Sequence, residues 1–285
     1  KWVGKNMSLP KNSQKMVERI QSPRSINVYK QCPRKYYYQY ILNLPTIKTI
    51  HMVRGKIIHT VLENFFKLDI KKITDKFEEF ELNVILQSLF HQEWEKSRKE
   101  LLSFNVSSKD LEFYFEESKQ MLDSWYGSFL NRIKLKQNNK LSFKEAFNLL
   151  KPETEVYFLS ENFKVRGYID AIHNVEGEVS IMDYKTSKRE EILDEYKLQL
   201  AIYALLYFEK YGRHPNLVGI DFLKHGPKYL KVDEELLEMA RRECILIQEN
   251  TKSEDIRDYP LNPGSYCKTC EFYNMCFGQK KLNDF

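Results

Sequence analysis

The sequence feature that most constrains the fold is an apolar run that ends in a charged pair, VSIMDYKT at residues 179–186. A short apolar run of this kind is typical of a buried β-strand. Side chains two positions apart on a strand share a face, so Asp183 and Lys185 should project side by side at its end. Because an unmatched buried charge is costly, two interpretations stand: a salt-bridged strand end, or a metal site with a lysine beside it.

The segments around this strand predict a sheet flanked by helices. Turn signals and alternating apolar residues predict strands at residues 153–159, 163–173, 178–186, 217–223 and 228–232. Helical periodicity follows, from about 194 to 211 and from 233 to 248. Central strands with helices on both sides predict an α/β or α+β fold, built on a mixed β-sheet.

The rest of the chain divides by composition into further segments. Residues 1–24 are polar and rich in lysine, and we interpret them as a lead-in to a single domain at 25–285. Within that domain, residues 66–150 have apolar side chains three and four apart, which predicts an insertion of several packed helices. Residues 262–285 form a cysteine-rich tail.

Composition narrows the class of protein. The chain has 285 residues, of which 42% are hydrophobic and 14% aromatic, as in a globular protein. No apolar run approaches the roughly 18 residues of a membrane span, and no cleavable signal pattern is present, so we expect an intracellular protein without a membrane partner. The net charge of +5 is compatible with a polyanionic partner but does not require one.

A second acid accompanies the charged pair at the strand end. Asp170 lies thirteen residues before Asp183, a spacing that suits neighbouring strands. Two carboxylates and Lys185 could hold a hard cation such as Mg²⁺, whose bound water would be the nucleophile while the lysine orients it or stabilises charge at phosphorus. Glu155, on the preceding strand, is either a further acid of this site or an ordinary exposed residue.

Three more residues are candidates for the same site. His59 follows Gly55 by four residues at a predicted helix start, where an imidazole could complete the metal site, although a lone histidine is more often structural. Gln199 and Tyr203 share one face of the helix that follows the lysine strand and could contact a nucleic-acid backbone. The alternative, favoured by the spacing alone, is an ordinary amphipathic helix.

The cysteines form a second candidate site. Cys267, Cys270 and Cys276 lie within ten residues, and Cys32 would supply a fourth thiolate from the other end of the chain. Four thiolates suit either a [4Fe–4S] cluster or a structural Zn²⁺, and the spacing alone does not separate them. Either group would fasten the N-terminal helix to the C-terminal tail. Cys244 lies in an apolar helix and is predicted to be a buried free thiol.

The order of these motifs resembles that of the PD-(D/E)XK nuclease superfamily, in its RecB-like branch with a four-cysteine iron–sulfur cluster. The resemblance spans residues 25–277, although residues 66–150 carry none of it. Each motif is weak alone, and the six together in the family order are strong. In chain order they are the Cys32-Pro33 helix, Gly55-x3-His59, Gly167-x2-Asp170, Asp183-x-Lys185, Gln199-x3-Tyr203 and the cysteines of the tail.

The resemblance implies a restriction-endonuclease-like fold and a DNA hydrolase that depends on Mg²⁺ or Mn²⁺. It assigns metal ligation to His59, Asp170, Asp183 and the backbone carbonyl of Tyr184. It gives Lys185 the role of activating water or stabilising charge. No catalytic position of the family pattern is missing from this chain.

The resemblance also implies roles outside the metal site. It places Gln199 and Tyr203 at the edge of the active site, as residues that bind the substrate. It makes the four cysteines the ligands of a [4Fe–4S] cluster, with Zn²⁺ as the alternative; these are Cys32, Cys267, Cys270 and Cys276.

Together these implications predict a DNA nuclease, chiefly an exonuclease on single-stranded ends. Single strands bind in basic grooves with aromatic platforms, and the run from Arg34 to Tyr38 supplies both, unless its tyrosines pack on the sheet instead. The helices of residues 66–150 could form an arch over the strand. Any helicase activity would have to come from elsewhere, because this sequence contains no Gly-rich phosphate loop.

The rival interpretation comes from a different class of protein. It is a non-catalytic iron–sulfur subunit that binds DNA or assembles a repair, recombination or CRISPR adaptation complex. Such a subunit would be free to lose the acid–lysine set, which is intact here. Within the nucleases, the resemblance extends to CRISPR-associated adaptation nucleases, AddB-type nuclease domains and exonuclease V-like enzymes.

Overall fold

The structure is a computed structural model that describes residues 18–278. Its centre is a five-stranded mixed sheet whose strands lie side by side in chain order. The first three strands pair antiparallel, the third and fourth parallel, and the fourth and fifth antiparallel. This confirms the predicted mixed sheet. The strands are β1 (Glu153–Ser160), β2 (Val165–Val175), β3 (Glu178–Lys185), β4 (Leu217–Phe222) and β5 (Gly226–Lys231).

Helices precede, separate and follow the strands, and one short π-helical turn at Tyr37–Ile41 extends the second of them. Among the described residues, no helix combines the length and the apolar character needed to cross a bilayer. The helices are α1 (Pro23–Gln31), α2 (Pro33–Tyr36), α3 (Ile50–Lys67), α4 (Glu78–Leu102), α5 (Ser108–Gln137), α6 (Phe143–Leu150), α7 (Asp194–Tyr211), α8 (Glu234–Asn250) and α9 (Tyr273–Phe277).

Side-chain caps fix where several helices begin. The Thr49 side chain accepts the Met52 amide N–H at the start of α3, and Ser107 does the same for Asp110 at the start of α5. A capping box between Ser142 and Glu145 opens α6. Caps of this kind satisfy amide groups that have no partner within the first turn of a helix.

The sheet separates two buried clusters. Ile181 on β3 faces α7 and α8, whereas Met182 faces α3 to α6. Alternation along the strand places Asp183 on the side of Ile181, toward α7, and Tyr184 on the side of Met182. The end of β3 is therefore the place where elements from both layers can meet.

The residues predicted as an insertion pack closely on the rest of the protein. Helices α4, α5 and α6 share one buried cluster with α3 and one face of the sheet. Phe65 of α3 makes edge-to-face contacts with Trp125 and Phe129 of α5, at 5.4 and 6.2 Å between ring centroids. These helices therefore lie against the layer that carries His59. That they form an insertion relative to related proteins stays a prediction.

The two ends of the described chain lie beside each other. The guanidinium Nε of Arg34 donates to the Tyr259 carbonyl at 2.7 Å, and the Tyr266 hydroxyl donates to the Gln31 carbonyl at 2.8 Å. Part of the predicted lead-in packs with the domain, since Gln21 is 2% exposed and α1 starts at Pro23. Most of the predicted lead-in and the last seven residues of the predicted tail lie outside the described residues.

Candidate active site

The site is built where β2 and β3 part. Their antiparallel register runs as far as Ala171 opposite Met182, and Asp170 and Asp183 follow at the next position. There the Asp170 carboxylate replaces a ladder bond, because its Oδ2 accepts the amide N–H of Tyr184 at 2.8 Å. The sequence prediction that the two acids lie on adjacent strands is confirmed.

Asp183 and Lys185 lie side by side on β3, as their spacing predicts. The Lys185 ammonium is 2.5 Å from Asp183 Oδ2. Gln199 of α7 completes the group, since its Nε2 donates to Asp183 Oδ1 at 2.7 Å and its Oε1 accepts from Lys185 at 3.2 Å. The same amide lies 2.9 Å from the Tyr203 hydroxyl. This network fixes both charged side chains against α7.

One oxygen of this group is not well satisfied. Asp183 is 2% exposed, and its Oδ2 has no correctly directed hydrogen bond among the described residues, although the Lys185 ammonium is close. The contact is thus a close ion pair with poor alignment. Burial raises the pKa of Asp183 in spite of the lysine. For Lys185, burial works in the opposite direction, but the Asp183 carboxylate outweighs it and raises the pKa.

His59 reaches the same place from α3. Its Nε2 lies 2.9 Å from the Tyr184 carbonyl oxygen, and its Nδ1 lies 3.4 Å from Asp170 Oδ1 and 3.9 Å from Glu155 Oε1. Burial works against protonation of His59, but Asp170 and then Glu155 outweigh it and raise its pKa to about 10. Two layers of the fold therefore converge here, with β2 and β3 on one side and α3 on the other.

Glu155 lies beside this group rather than on an exposed part of the strand. The pairing of β1 and β2 is interrupted here, between Thr154–Ala171 and Val156–Ile169, and the Glu155 backbone takes a positive φ of 51°. That region is uncommon for residues other than glycine. Among residues 18–278, the donor atoms of His59, Glu155 and Asp170 lie within 4.8 Å of one another, as a metal site requires.

A cavity of about 1130 Å³ opens in front of these groups. Its lining carries six Lys or Arg residues and four acids, so a phosphate-bearing ligand is compatible with it once a cation offsets the acids. The cations are Arg24, Arg54, Lys56, Lys185, Lys188 and Lys224; the acids are Glu63, Glu117, Glu155 and Asp170.

Helix α5 supplies one wall of this cavity, through residues that the sequence pattern did not single out for this site. Glu117 of α5 lies 2.7 Å from the buried guanidinium of Arg54 and also contacts the ammonium of Lys224. Tyr114 lies under the same guanidinium, at 5.1 Å from its ring centroid. These contacts join residues that are far apart in the chain, so no local sequence pattern could have predicted them.

The three residues predicted to bind substrate, Gln199, Tyr203 and Arg34, do not line this cavity. Gln199 and Tyr203 are behind Asp183 and are not among the residues that line the cavity. Gly167 accommodates Tyr203, since a Cβ on the glycine would lie 3.0 Å from its ring. Arg34 bonds the Tyr259 carbonyl near the chain ends and also lies away from the cavity.

The tyrosines that follow Arg34 are buried rather than displayed. Tyr36, Tyr37 and Tyr38 are 1, 8 and 4% exposed and pack within the core beside α7. For these rings the packing alternative holds, and an aromatic platform for substrate has to come from elsewhere.

The cysteines predicted to act together line one small cavity, with Tyr266 and Phe272 beside them. All four lie within the described residues, and no three of their sulfur atoms lie within 4.8 Å of one another. The four cysteines of this cavity are Cys32, Cys267, Cys270 and Cys276.

Cys244 lies apart from these four. It is fully buried in α8, and burial raises its pKa to about 12, as expected of an inert thiol.

Comparison with known proteins gives the class. The family model of the PD-(D/E)XK nuclease superfamily matches residues 21–277, and the chain belongs to that superfamily. The Gene 69 protein of Mycobacterium phage D29 is 34% identical over 134 residues, which cover 44% of this chain and 48% of the phage protein.

A second relative is far longer than this chain. It is an ATP-dependent helicase/deoxyribonuclease subunit of Streptococcus mutans, 28% identical over 219 residues, which cover 74% of this chain and 18% of the relative. The chain thus spans about half of one relative and under a fifth of the other.

A solved structure supports the fold. A protein described as a "putative exonuclease" from Eubacterium rectale superimposes with a TM-score of 0.52 and 12% identity, with 96% of each chain covered. At that identity the likeness concerns the fold alone.

Proposed function

We propose that this protein is a metal-dependent deoxyribonuclease that hydrolyses single-stranded DNA from its ends. The observation that carries the proposal is the convergence of His59, Asp170 and Lys185 on the large cavity, with the buried Asp183 paired to Lys185 behind its wall. Three separate elements deliver these four side chains, which is more than a salt-bridged strand end requires.

The donor set suits Mg²⁺ or Mn²⁺. His59, Asp170, Asp183 and the Tyr184 carbonyl would hold the ion, with Glu155 nearby, and oxygen donors are the ligands these hard ions prefer. The poorly satisfied Oδ2 of Asp183 and the 2.9 Å approach of His59 to the Tyr184 carbonyl fit this assignment. When bound, the ion would supply a water nucleophile of lowered pKa and neutralise charge on the phosphate.

The protein's own groups then position the reaction. Lys185 offers N–H donors at the cavity wall, where they can orient the attacking water or stabilise charge on a phosphate oxygen. Gln199 holds this lysine and Asp183 in place from behind through its two hydrogen bonds. The predicted substrate role of Gln199, Tyr203 and Arg34 stays a prediction, and positioning is the role that the contacts of Gln199 favour.

The four cysteines are proposed to hold a [4Fe–4S] cluster. The proposal rests on the family resemblance and on the shared cavity that all four cysteines line, with Zn²⁺ as the alternative group. Bound there, the cluster would fasten α2 to the tail beside the existing bonds between the chain ends.

The biological setting belongs to the same proposal. The name of the Streptococcus mutans relative joins a helicase with a deoxyribonuclease, which supports a helicase or recombination partner for this chain. The rival function, a non-catalytic iron–sulfur subunit of a repair or CRISPR adaptation complex, would not need the lysine network at Asp183.

The test is digestion of end-labelled single-stranded DNA with Mg²⁺ or Mn²⁺, by the parent and by Lys185→Ala. Lys231→Ala, on the exposed face of β5, is the matched control. We expect digestion by the parent and the control, and a loss of at least 100-fold in Lys185→Ala, on the order of an electrostatic transition-state contact. No digestion by a folded, cluster-loaded parent would favour the non-catalytic subunit.

A further inference from the structure

One aromatic ring is displayed on the wall of the cavity. Phe113 of α5 is 53% exposed, yet it lines the same cavity as His59 and Asp170. Its neighbour Tyr114 is engaged by the Arg54 guanidinium and by the His51 ring, whereas Phe113 meets Tyr114 edge-on at 5.6 Å. A large apolar side chain kept open inside a charged cavity calls for an apolar or aromatic ligand surface.

Ion pairs anchor the part of α5 that carries Phe113. Glu117, one turn along α5 from Phe113, is tied to Arg54 on α3 and to Lys224 beyond β4. Because α3 also carries His59, these ion pairs fix the position of the Phe113 turn of α5 relative to the candidate metal site.

The cavity that Phe113 lines also carries exposed cations. Lys56 and Lys188 are exposed and line the cavity together with Phe113. Cations and an exposed aromatic ring that line one cavity match a nucleotide strand, whose phosphates contact the cations while a base stacks on the ring. A protein partner would not need the carboxylate and imidazole groups that line the same cavity.

We propose that Phe113 is the platform on which an unpaired nucleobase stacks while the strand enters the metal site. This inference rests on the proposed nuclease function and names what selects the single strand. The faces of a base inside duplex DNA are covered by its neighbours, so an internal base can lie on the ring only when it has left the stack.

The experiment measures binding by fluorescence anisotropy, with no divalent cation added, to a single-stranded oligonucleotide and its blunt duplex. The variants are Phe113→Ala and Phe113→Trp, with Phe80→Ala as control, since Phe80 is 69% exposed and lies off the cavity. We expect Phe113→Ala to weaken single-strand binding about 5- to 100-fold, in keeping with one lost base stack, with duplex binding unchanged. Phe113→Trp and Phe80→Ala should bind as the parent does.

A scan with single abasic sites identifies the stacked base. In the parent, one position should cause the same loss as Phe113→Ala, and that position should cause no further loss in the variant. Equal losses for single strand and duplex, or parental affinity of Phe113→Ala, would overturn the inference. If the parent digests DNA and Phe113→Ala still binds normally, only this inference falls; if the parent neither binds nor digests DNA, the proposed function falls with it.

Discussion

Asp170 and Tyr184 are joined where the ladder between β2 and β3 ends, by a hydrogen bond of 2.8 Å from the Tyr184 amide to Asp170 Oδ2. The adjoining carbonyl of Tyr184 is the group that His59 approaches. The Asp170 carboxylate therefore ends the pairing of β2 and β3 through its Oδ2, while its Oδ1 faces His59 at the candidate metal site. Different substitutions of Asp170 can therefore separate its role in the sheet from its proposed role in metal binding.

The substitution Asp170→Asn should preserve the fold and weaken metal binding. The amide oxygen can still accept the Tyr184 N–H, but the charge that attracts a cation is gone, so we expect Mn²⁺ affinity to fall at least tenfold. Asp170→Ala should in addition be less stable than Asp170→Asn by about 1–3 kcal/mol, the cost of a buried amide without an acceptor. Calorimetric Mn²⁺ titration and thermal unfolding measure the two effects. Parental Mn²⁺ affinity in Asp170→Asn would remove Asp170 from the site.

Gly55→Ala should stabilise the protein and impair digestion. Gly55 lies within α3, where alanine is better by about 0.5–1 kcal/mol. A Cβ there would lie 3.7 Å from Thr186 Oγ1, an ordinary contact, so the glycine is not required by its protein neighbours. Because Gly55 lines the cavity, we expect the added methyl group to obstruct the strand and to lower DNA digestion several-fold.

The control for that substitution is Gly127→Ala in α5, where nothing lies within 4 Å of the added carbon. It should give the same gain in stability with no change in digestion. Equal digestion by Gly55→Ala and the parent would show that the substrate does not pass close to α3.

His173 should make the protein sensitive to acid. It is 6% exposed, its Nδ1 lies 3.2 Å from the Leu150 carbonyl, and burial lowers its pKa to about 4 from 6.5. As the pH falls, His173 takes up a proton in the unfolded chain before it does so in the folded protein. Its contribution to the free energy of unfolding is therefore complete above pH 6.5 and is lost as the pH falls toward 4. The full loss is on the order of 3 kcal/mol.

Urea unfolding between pH 7.5 and 4 measures this slope in the parent and in His173→Gln, which cannot ionise. The slope between pH 6.5 and 4 should be shallower in the variant, while His91→Gln, at an exposed position, should follow the parent. Identical slopes for the parent and His173→Gln would assign the acid sensitivity to other groups.

Cys276→Ser should lose the proposed cluster, whereas Cys244→Ala should keep it. Cys276 lines the shared cysteine cavity, and Cys244 lies apart in α8. Iron and acid-labile sulfide in anaerobically purified protein measure the cluster, and zinc is determined in the same samples. Stoichiometric zinc without sulfide in the parent would establish the zinc alternative.

Local pattern predicted most of the sheet. Alternation and the turns near Asn162 and Gly177 marked β1, β2 and β3, and the i, i+2 rule placed Lys185 beside Asp183. Helix α7 was predicted with its observed ends, because apolar periodicity runs through all of it. In these segments the sequence pattern and the tertiary environment favour the same structure.

The remaining parts of the site depend on contacts between distant residues. Glu155 approaches His59 at an interruption in the pairing of β1 and β2, with a positive φ that no sequence spacing indicates. Glu117 meets Arg54 only because α5 packs on α3. The Tyr36–Tyr38 run has the composition of a nucleic-acid platform, yet burial in the core decides its role.

The most direct test of the account is the position of Mn²⁺ in crystals grown with the ion, located by its anomalous scattering. We expect one strong peak bounded by His59, Asp170, Asp183 and the Tyr184 carbonyl, which disappears in Asp170→Asn. A peak elsewhere, or no peak in the parent at millimolar Mn²⁺, would contradict the claim that this convergence of side chains is a metal-dependent active site.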